Sequence, residues 1–146
     1  VGAGSRADDS SPAACIDARA AAANAARPDA IVSIHADGGP AGGRGFHVNY
    51  SSPPLNDAQS GPAVALAGDI RDALSAAGIP PSSYLGADGL YGRADLAGLN
   101  LAEYPAVLVE LGNMRNAQDA ALLDSADGRA QYAAAVAAGI VAYLSR

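Results

Sequence analysis

Two apolar runs in this chain each end in a single ionisable residue: Ala30-Ile31-Val32-Ser33-Ile34 in His35, and Ala106-Val107-Leu108-Val109 in Glu110. Short β-branched runs followed by glycine, here Gly38-Gly39 and Gly112, read as strands buried on both faces. The carboxyl ends of such strands are where open α/β sheets carry their sites. Imidazole is a metal ligand and a carboxylate moves protons, so a histidine and a glutamate delivered in this way point to metal-assisted hydrolysis. Glutamate is scarce, with Glu103 and Glu110 the only two, and an acid set straight after four apolar residues is not a casual surface group. Taken alone, either residue could equally mark where a strand reaches water.

The elements that must position these residues follow from pattern. Pro12 to Ala26 is an alanine-rich helix opened by Ser10 or Ser11 and closed before Pro28, with Ile16 inward and Arg19 outward. Arg27-Pro28-Asp29 turns into the strand Ala30 to His35. Gly38 to Gly45 resembles a phosphate-cradling loop only superficially, because no Lys-Ser/Thr follows, and it is expected to be a flexible connection. Phe46 to Tyr50 alternates, placing Phe46, Val48 and Tyr50 on one face of a second strand and His47 and Asn49 on the other.

Asp57 to Ala77 is predicted to be one long amphipathic helix stopped by Gly78, with Val64, Leu66, Ile70 and Leu74 inward and Asp69, Arg71 and Asp72 in solvent. A loop covers Ile79 to Arg93, and Leu96 to Leu101 is a weak strand or turn. After the strand Ala106 to Glu110, Asn116 caps a short helix through Leu123. Gly128 to Leu144 is a last helix with Tyr132, Val136, Ile140 and Tyr143 at helical spacing. Strands interleaved with helices make a single-domain α/β sandwich.

With 146 residues the chain can build a core, packed by Ala, Val, Leu and Ile because it has no tryptophan and a single phenylalanine. A net charge of −6 and the absence of lysine argue against nucleic acid or an anionic membrane as partner. No stretch approaches the roughly 20 apolar residues that span a bilayer. Cys15 is alone, an inert small hydrophobe in a reducing compartment or, in a secreted protein, one half of a pair with a partner elsewhere. Val1 to Arg6 resembles the end of a strand more than the beginning of a domain, so an amino-terminal piece is expected upstream.

Arg19 and Asn24 on a helix, then Ile31-Val32-Ser33-Ile34-His35-Ala36-Asp37, then Arg93, then Pro105 through Asn116 closely resemble the zinc-dependent N-acetylmuramoyl-L-alanine amidases of the amidase-3 type. Gly43 to Tyr50 and Asp88 to Arg93 look most like the short secreted cell-wall amidases of mycobacteria. The resemblance covers nearly the whole chain. It implies a three-layer sandwich with a mixed, mostly parallel sheet and helices on both faces. It also implies that residues 1–146 are an amidase catalytic domain lacking its amino-terminal strand-helix segment, with a zinc cofactor held by His35 and by a histidine and glutamate from that segment upstream of residue 1, Glu110 as general acid/base, and a disulfide from Cys15 to an upstream cysteine.

The chemistry so implied is hydrolysis of the amide between N-acetylmuramic acid and the L-alanine of the peptidoglycan stem peptide, outside the cytoplasmic membrane, by a zinc-activated water. Asp37 and His47 fit poorly as substitute ligands: Asp37 reads as a turn residue, and His47 as a solvated or supporting histidine. Arg93, with its forked guanidinium, is the candidate for a stem-peptide carboxylate. Arg19 and Asn24 are expected to tie their helix to the loop after His35, Asn113 and Asn116 to be turn and cap residues, and Glu103 to lie on the surface. Two alternatives stay open: a catalytically inactive, amidase-like cell-wall binding or regulatory module, and a zinc carboxypeptidase acting within the stem peptide.

Overall fold

The computed structural model describes residues 12–146, with side chains from Ile16 onward. The expected caps at Ser10 and Ser11, the strand end at Val1 to Arg6 and the Cys15 thiol therefore lie outside the described residues. In chain order the elements are α1 (Pro12–Ala25), β1 (Ile31–Asp37), β2 (His47–Ser51), α2 (Asp57–Ser60), α3 (Pro62–Ala76), β3 (Leu90–Arg93), α4 (Ala97–Asn100), β4 (Ala106–Asn113), α5 (Ala117–Asp124) and α6 (Ala126–Leu144).

The strands form one sheet in the order β1-β4-β2-β3. β4 pairs parallel with β1 and antiparallel with β2, and β3 pairs parallel with β2, so the sheet is mixed and mostly parallel, as expected. One face packs on α3 and α6 through Phe46, Val48, Leu66, Ile70, Leu74, Val107, Val109, Tyr132 and Val136. Burying each such side chain contributes about 1.5–3 kcal/mol, which makes this face the main source of stability. A smaller cluster of Leu99, Ala102 and Ala106, with Ile31 and Leu108 against it, lies on the other face. Small residues let α3 and α6 approach closely: a Cβ on Gly139 would sit 2.6 Å from Ile70 Cα.

Several elements differ from the sequence expectation. The long helix from Asp57 is two helices, because Pro62 at the start of α3 has no N–H to donate and its ring clashes with the preceding turn. Asn56 caps the first by accepting the Gln59 N–H. Val64 is 39 % exposed and Ala63 and Ala67 take inward places, while Asp69 pairs with Arg146 rather than standing free in solvent. The stretch Ile79 to Arg93 is not all loop, since Leu90–Arg93 adds an edge strand to β2. Leu96 to Leu101, expected to be a weak strand or turn, holds the one-turn helix α4.

β1 was expected to be buried on both faces, and it is not. Among the described residues it is an outer strand, paired only with β4, and Ile34 is 61 % exposed. Beside it runs an open, mainly apolar groove of about 380 Å³ lined by Ile34, Leu111, Leu123, Tyr132 and Val136.

Candidate functional site

Glu110 is flanked in register on both sides, by His35 of β1 and by His47 of β2. Residues paired across neighbouring strands project from the same face, so the sheet sets imidazole, carboxyl and imidazole in a row with about 4.8 Å between strands. Access falls along the row. His35 is exposed, Glu110 half-buried and His47 only 2 % exposed. Beyond His35 the register slips, so that Asp37 opposes Asn113, a local irregularity of the kind that re-aims side chains next to sites.

Burial governs the electrostatics. Desolvation, assisted by the Asp37 charge and opposed by Arg93, pushes the Glu110 carboxyl up to about 7. Desolvation and the nearby Arg19 hold the His35 imidazole below its ordinary value, which favours the neutral form that ligates metals. His47 is likewise lowered, mainly by burial, with Asp37 opposing and Arg93 assisting. Glu110 Oε2 and His47 Nδ1 are both buried and have no hydrogen-bond partner.

The glycine-rich segment beside this row is not the flexible connection expected. Asn113 Nδ2 donates to Pro40 O at 2.7 Å and Gly43 O at 2.8 Å, and Asn116 Nδ2 donates to Ala41 O at 3.0 Å. Asp119 Oδ2 accepts the Gly45 N–H, and Arg44 pairs with the same carboxylate at 3.4 Å. Gly45 sits at φ +99, a conformation open to glycine. Tyr84 packs over the loop so closely that a Cβ on Gly39 or Gly43 would overlap its ring, and its hydroxyl donates to Asp37 Oδ2 at 2.7 Å.

Other expected roles change too. Asn113 is fully buried and ties the loop to β4, which is more than a turn role, whereas Asn116 does cap α5. Asn24 reaches not the loop after His35 but the connection before β4, donating to Leu101 O and accepting from Glu103 N–H. Glu103 itself is exposed. Arg93 lies 5.0 Å over the Tyr91 ring and is held by two hydrogen bonds to Asp95, at 2.7 and 2.6 Å. His47, expected to be solvated or supporting, is not solvated: it is enclosed and sits directly beside Glu110, which leaves the supporting role open.

A profile of the N-acetylmuramoyl-L-alanine amidases matches residues 4–142. The chain belongs to that family. It is 61% identical over 141 residues to the N-acetylmuramoyl-L-alanine amidase Rv3717 of Mycobacterium tuberculosis, covering 97% of this chain and 58% of that protein. It superimposes on the N-acetylmuramyl-L-alanine amidase Ami1 of Mycobacterium smegmatis with a TM-score of 0.89 at 62% identity, over 90% of this chain and 61% of that one. The apo form of Ami1 from Mycobacterium abscessus gives 0.88 at 64% identity, over 89% and 61%. The chain thus spans about three-fifths of the length of these relatives.

Within this amidase domain, the structure brings together His35 and Glu110, with Asp37 and Arg93 close enough to act on the Glu110 charge. In the sequence His47 reads as a solvated or supporting histidine, on the polar face by the alternation of Phe46 to Tyr50, and Tyr84 carries no local signal at all. As a test of fit for zinc, His35 offers an exposed imidazole kept neutral. Among the described residues no three His, Cys, Asp or Glu side chains are grouped so as to hold a metal ion. His35 therefore suits one position in a coordination sphere and does not complete it.

Proposed function

We propose that this protein hydrolyses the amide bond between the lactyl group of N-acetylmuramic acid and the L-alanine of the peptidoglycan stem peptide, acting outside the cytoplasmic membrane with zinc as its cofactor. The observation that carries the reading is Glu110: a half-buried carboxyl with an unpartnered oxygen and a proton affinity near neutrality, set in register beside an exposed, neutral imidazole. A group of that affinity both takes a proton and returns it at ordinary pH.

In this reading His35 is one zinc ligand. The remaining donors come from outside the described residues. Zinc, when bound, supplies positive charge that acidifies the attacking water and offsets charge on the carbonyl oxygen. Glu110 takes the proton as the water oxygen bonds to the lactyl carbonyl carbon and the C=O electron pair moves onto oxygen. It returns that proton to the alanine nitrogen as the C–N bond breaks, leaving a lactyl carboxyl group and a free amine. Arg93, released from Asp95, offers its guanidinium to a carboxylate of the stem peptide.

The test is cleavage of purified muropeptides by the full-length, zinc-loaded protein, with products identified by mass. Intact stem peptide bearing a free L-alanine amine supports the amidase; a shortened stem peptide indicates a carboxypeptidase. No product and no retained zinc would leave an inactive binding module. Glu110→Gln is expected to lower turnover by about 10²–10⁴-fold while leaving the melting temperature of the zinc-loaded protein within a degree or two.

A further inference from the structure

His47 is 2 % exposed, its Nδ1 is buried without a hydrogen-bond partner, and it stands directly opposite Glu110 in the antiparallel β2–β4 pair. Directly opposed Cβ atoms are about 4.5–5.5 Å apart, so the two side chains run alongside each other. Glu110 Oε2 is likewise buried and unpartnered, as is Asn49 Oδ1 two residues along β2, but only Glu110 stands directly opposite His47. Native interiors rarely leave a polar atom unpaired, because its lost hydration is not recovered. Two such atoms on facing side chains, in a site that handles a water and an amide, point to one small group that both hold.

The imidazole has little freedom to turn away. The rings of Tyr84 and Tyr91 meet it edge-on, with centroids 6.3 and 6.0 Å from its own. Its strand neighbours Phe46 and Val48 are fully buried in the core and fix β2 from beneath. The ionisable groups facing it are Glu110 on β4, Asp37 on β1, Arg93 and Tyr91 on β3, and Tyr84 from the segment before β3.

We propose that His47 is a positioning residue for the hydrolysis: its Nδ1 and Glu110 Oε2 together hold the attacking water, so that one O–H is directed at the carboxylate and a lone pair at the carbonyl carbon. The inference rests on the amidase reading of Glu110. His47 forms and breaks no covalent bond and ends the cycle in its starting protonation state. The proton that leaves the water goes to Glu110. A merely structural His47, wedged between two tyrosines, would be replaceable by any side chain of similar bulk.

Three variants of the full-length zinc-loaded protein separate these roles. Asn places an amide near the Nδ1 position, Gln places one near Nε2, and Leu fills the space without a polar atom. Expected with muropeptide are a kcat for His47→Asn within about threefold of wild type, and a roughly 10- to 100-fold lower kcat for His47→Gln and His47→Leu with KM little changed. A second readout needs no turnover. The infrared carboxyl band of protonated Glu110, assigned by its loss in Glu110→Gln, should rise in frequency in His47→Leu and return in His47→Asn. If wild type releases no peptide, the amidase reading falls and this proposal with it. If wild type cleaves while His47→Leu keeps its rate and its carboxyl band, or while Asn, Gln and Leu lose rate equally, the proposal alone falls.

Discussion

Asp119 and Gly45 are joined by a 2.7 Å hydrogen bond from the glycine N–H to Oδ2, and the same oxygen accepts the Asn113 N–H at 3.0 Å. One buried carboxylate thereby fastens the segment entering β2 to the end of β4. It sets His47 and Glu110 relative to each other from beyond the sheet. Asp119→Ala leaves two buried N–H groups unpaired and removes the ion-pair partner of Arg44, which keeps its hydrogen bond to Gln118. The expected loss is about 2–4 kcal/mol, read as a lower urea midpoint. Asp119→Asn, which keeps one accepting oxygen, should lose less.

The raised proton affinity of Glu110 makes stability depend on pH. Its folded value, about 7, exceeds the ordinary 4.5, so the native state binds the proton more tightly than the unfolded chain. That contribution is fully present below about 4.5 and is lost as pH rises through 7. Zinc-free wild-type protein should therefore lose stability relative to Glu110→Gln between those limits and run parallel to it above them. Chemical denaturation of both proteins from pH 4 to pH 8.5 measures the difference; parallel curves throughout would contradict a raised Glu110.

Tyr84 and Gly43 are fitted to each other. A Cβ at Gly43 would meet Tyr84 Cδ1 at 2.5 Å and Cγ at 2.8 Å, near the rigid base of the side chain. Gly43→Ala must push the ring aside and strain the Tyr84–Asp37 hydrogen bond, with an expected loss of about 1–3 kcal/mol. In a Tyr84→Ala background the same change should be much milder, so a double-mutant cycle in urea should return a coupling above about 1 kcal/mol.

Much of the site was legible in the chain because the signals were local. The apolar run ending in His35 and the one ending in Glu110 are short and bounded, and each lies in a strand where expected, although the strands run on to Asp37 and Asn113, so that neither residue ends its strand, and β1 has an open edge. The alternation of Phe46 to Tyr50 put His47 on the correct face. What did not show was pairing at long range. Nothing near residue 47 reveals that Glu110 is its register partner, and nothing near Tyr84 reveals that it reaches Asp37. Gln59 is a further case: it is 1 % exposed and donates to Leu99, Asn100 and Ala102 carbonyls, securing the approach to β4, yet within a helix pattern it reads as an ordinary surface glutamine. Leu90–Arg93 became a strand only because β2 offered it an edge.

The order of strands assigns different mobility to the two halves of the chemistry. Glu110 sits on β4, laced to a neighbour on either side, so displacing it means opening the sheet itself, and amide exchange there should approach the slowest in the protein. His35 rides on a strand bonded along one side among the described residues and can breathe at far smaller expense. Among the described residues, then, Glu110 is the fixed datum of the row and His35 the member with room to adjust beside it.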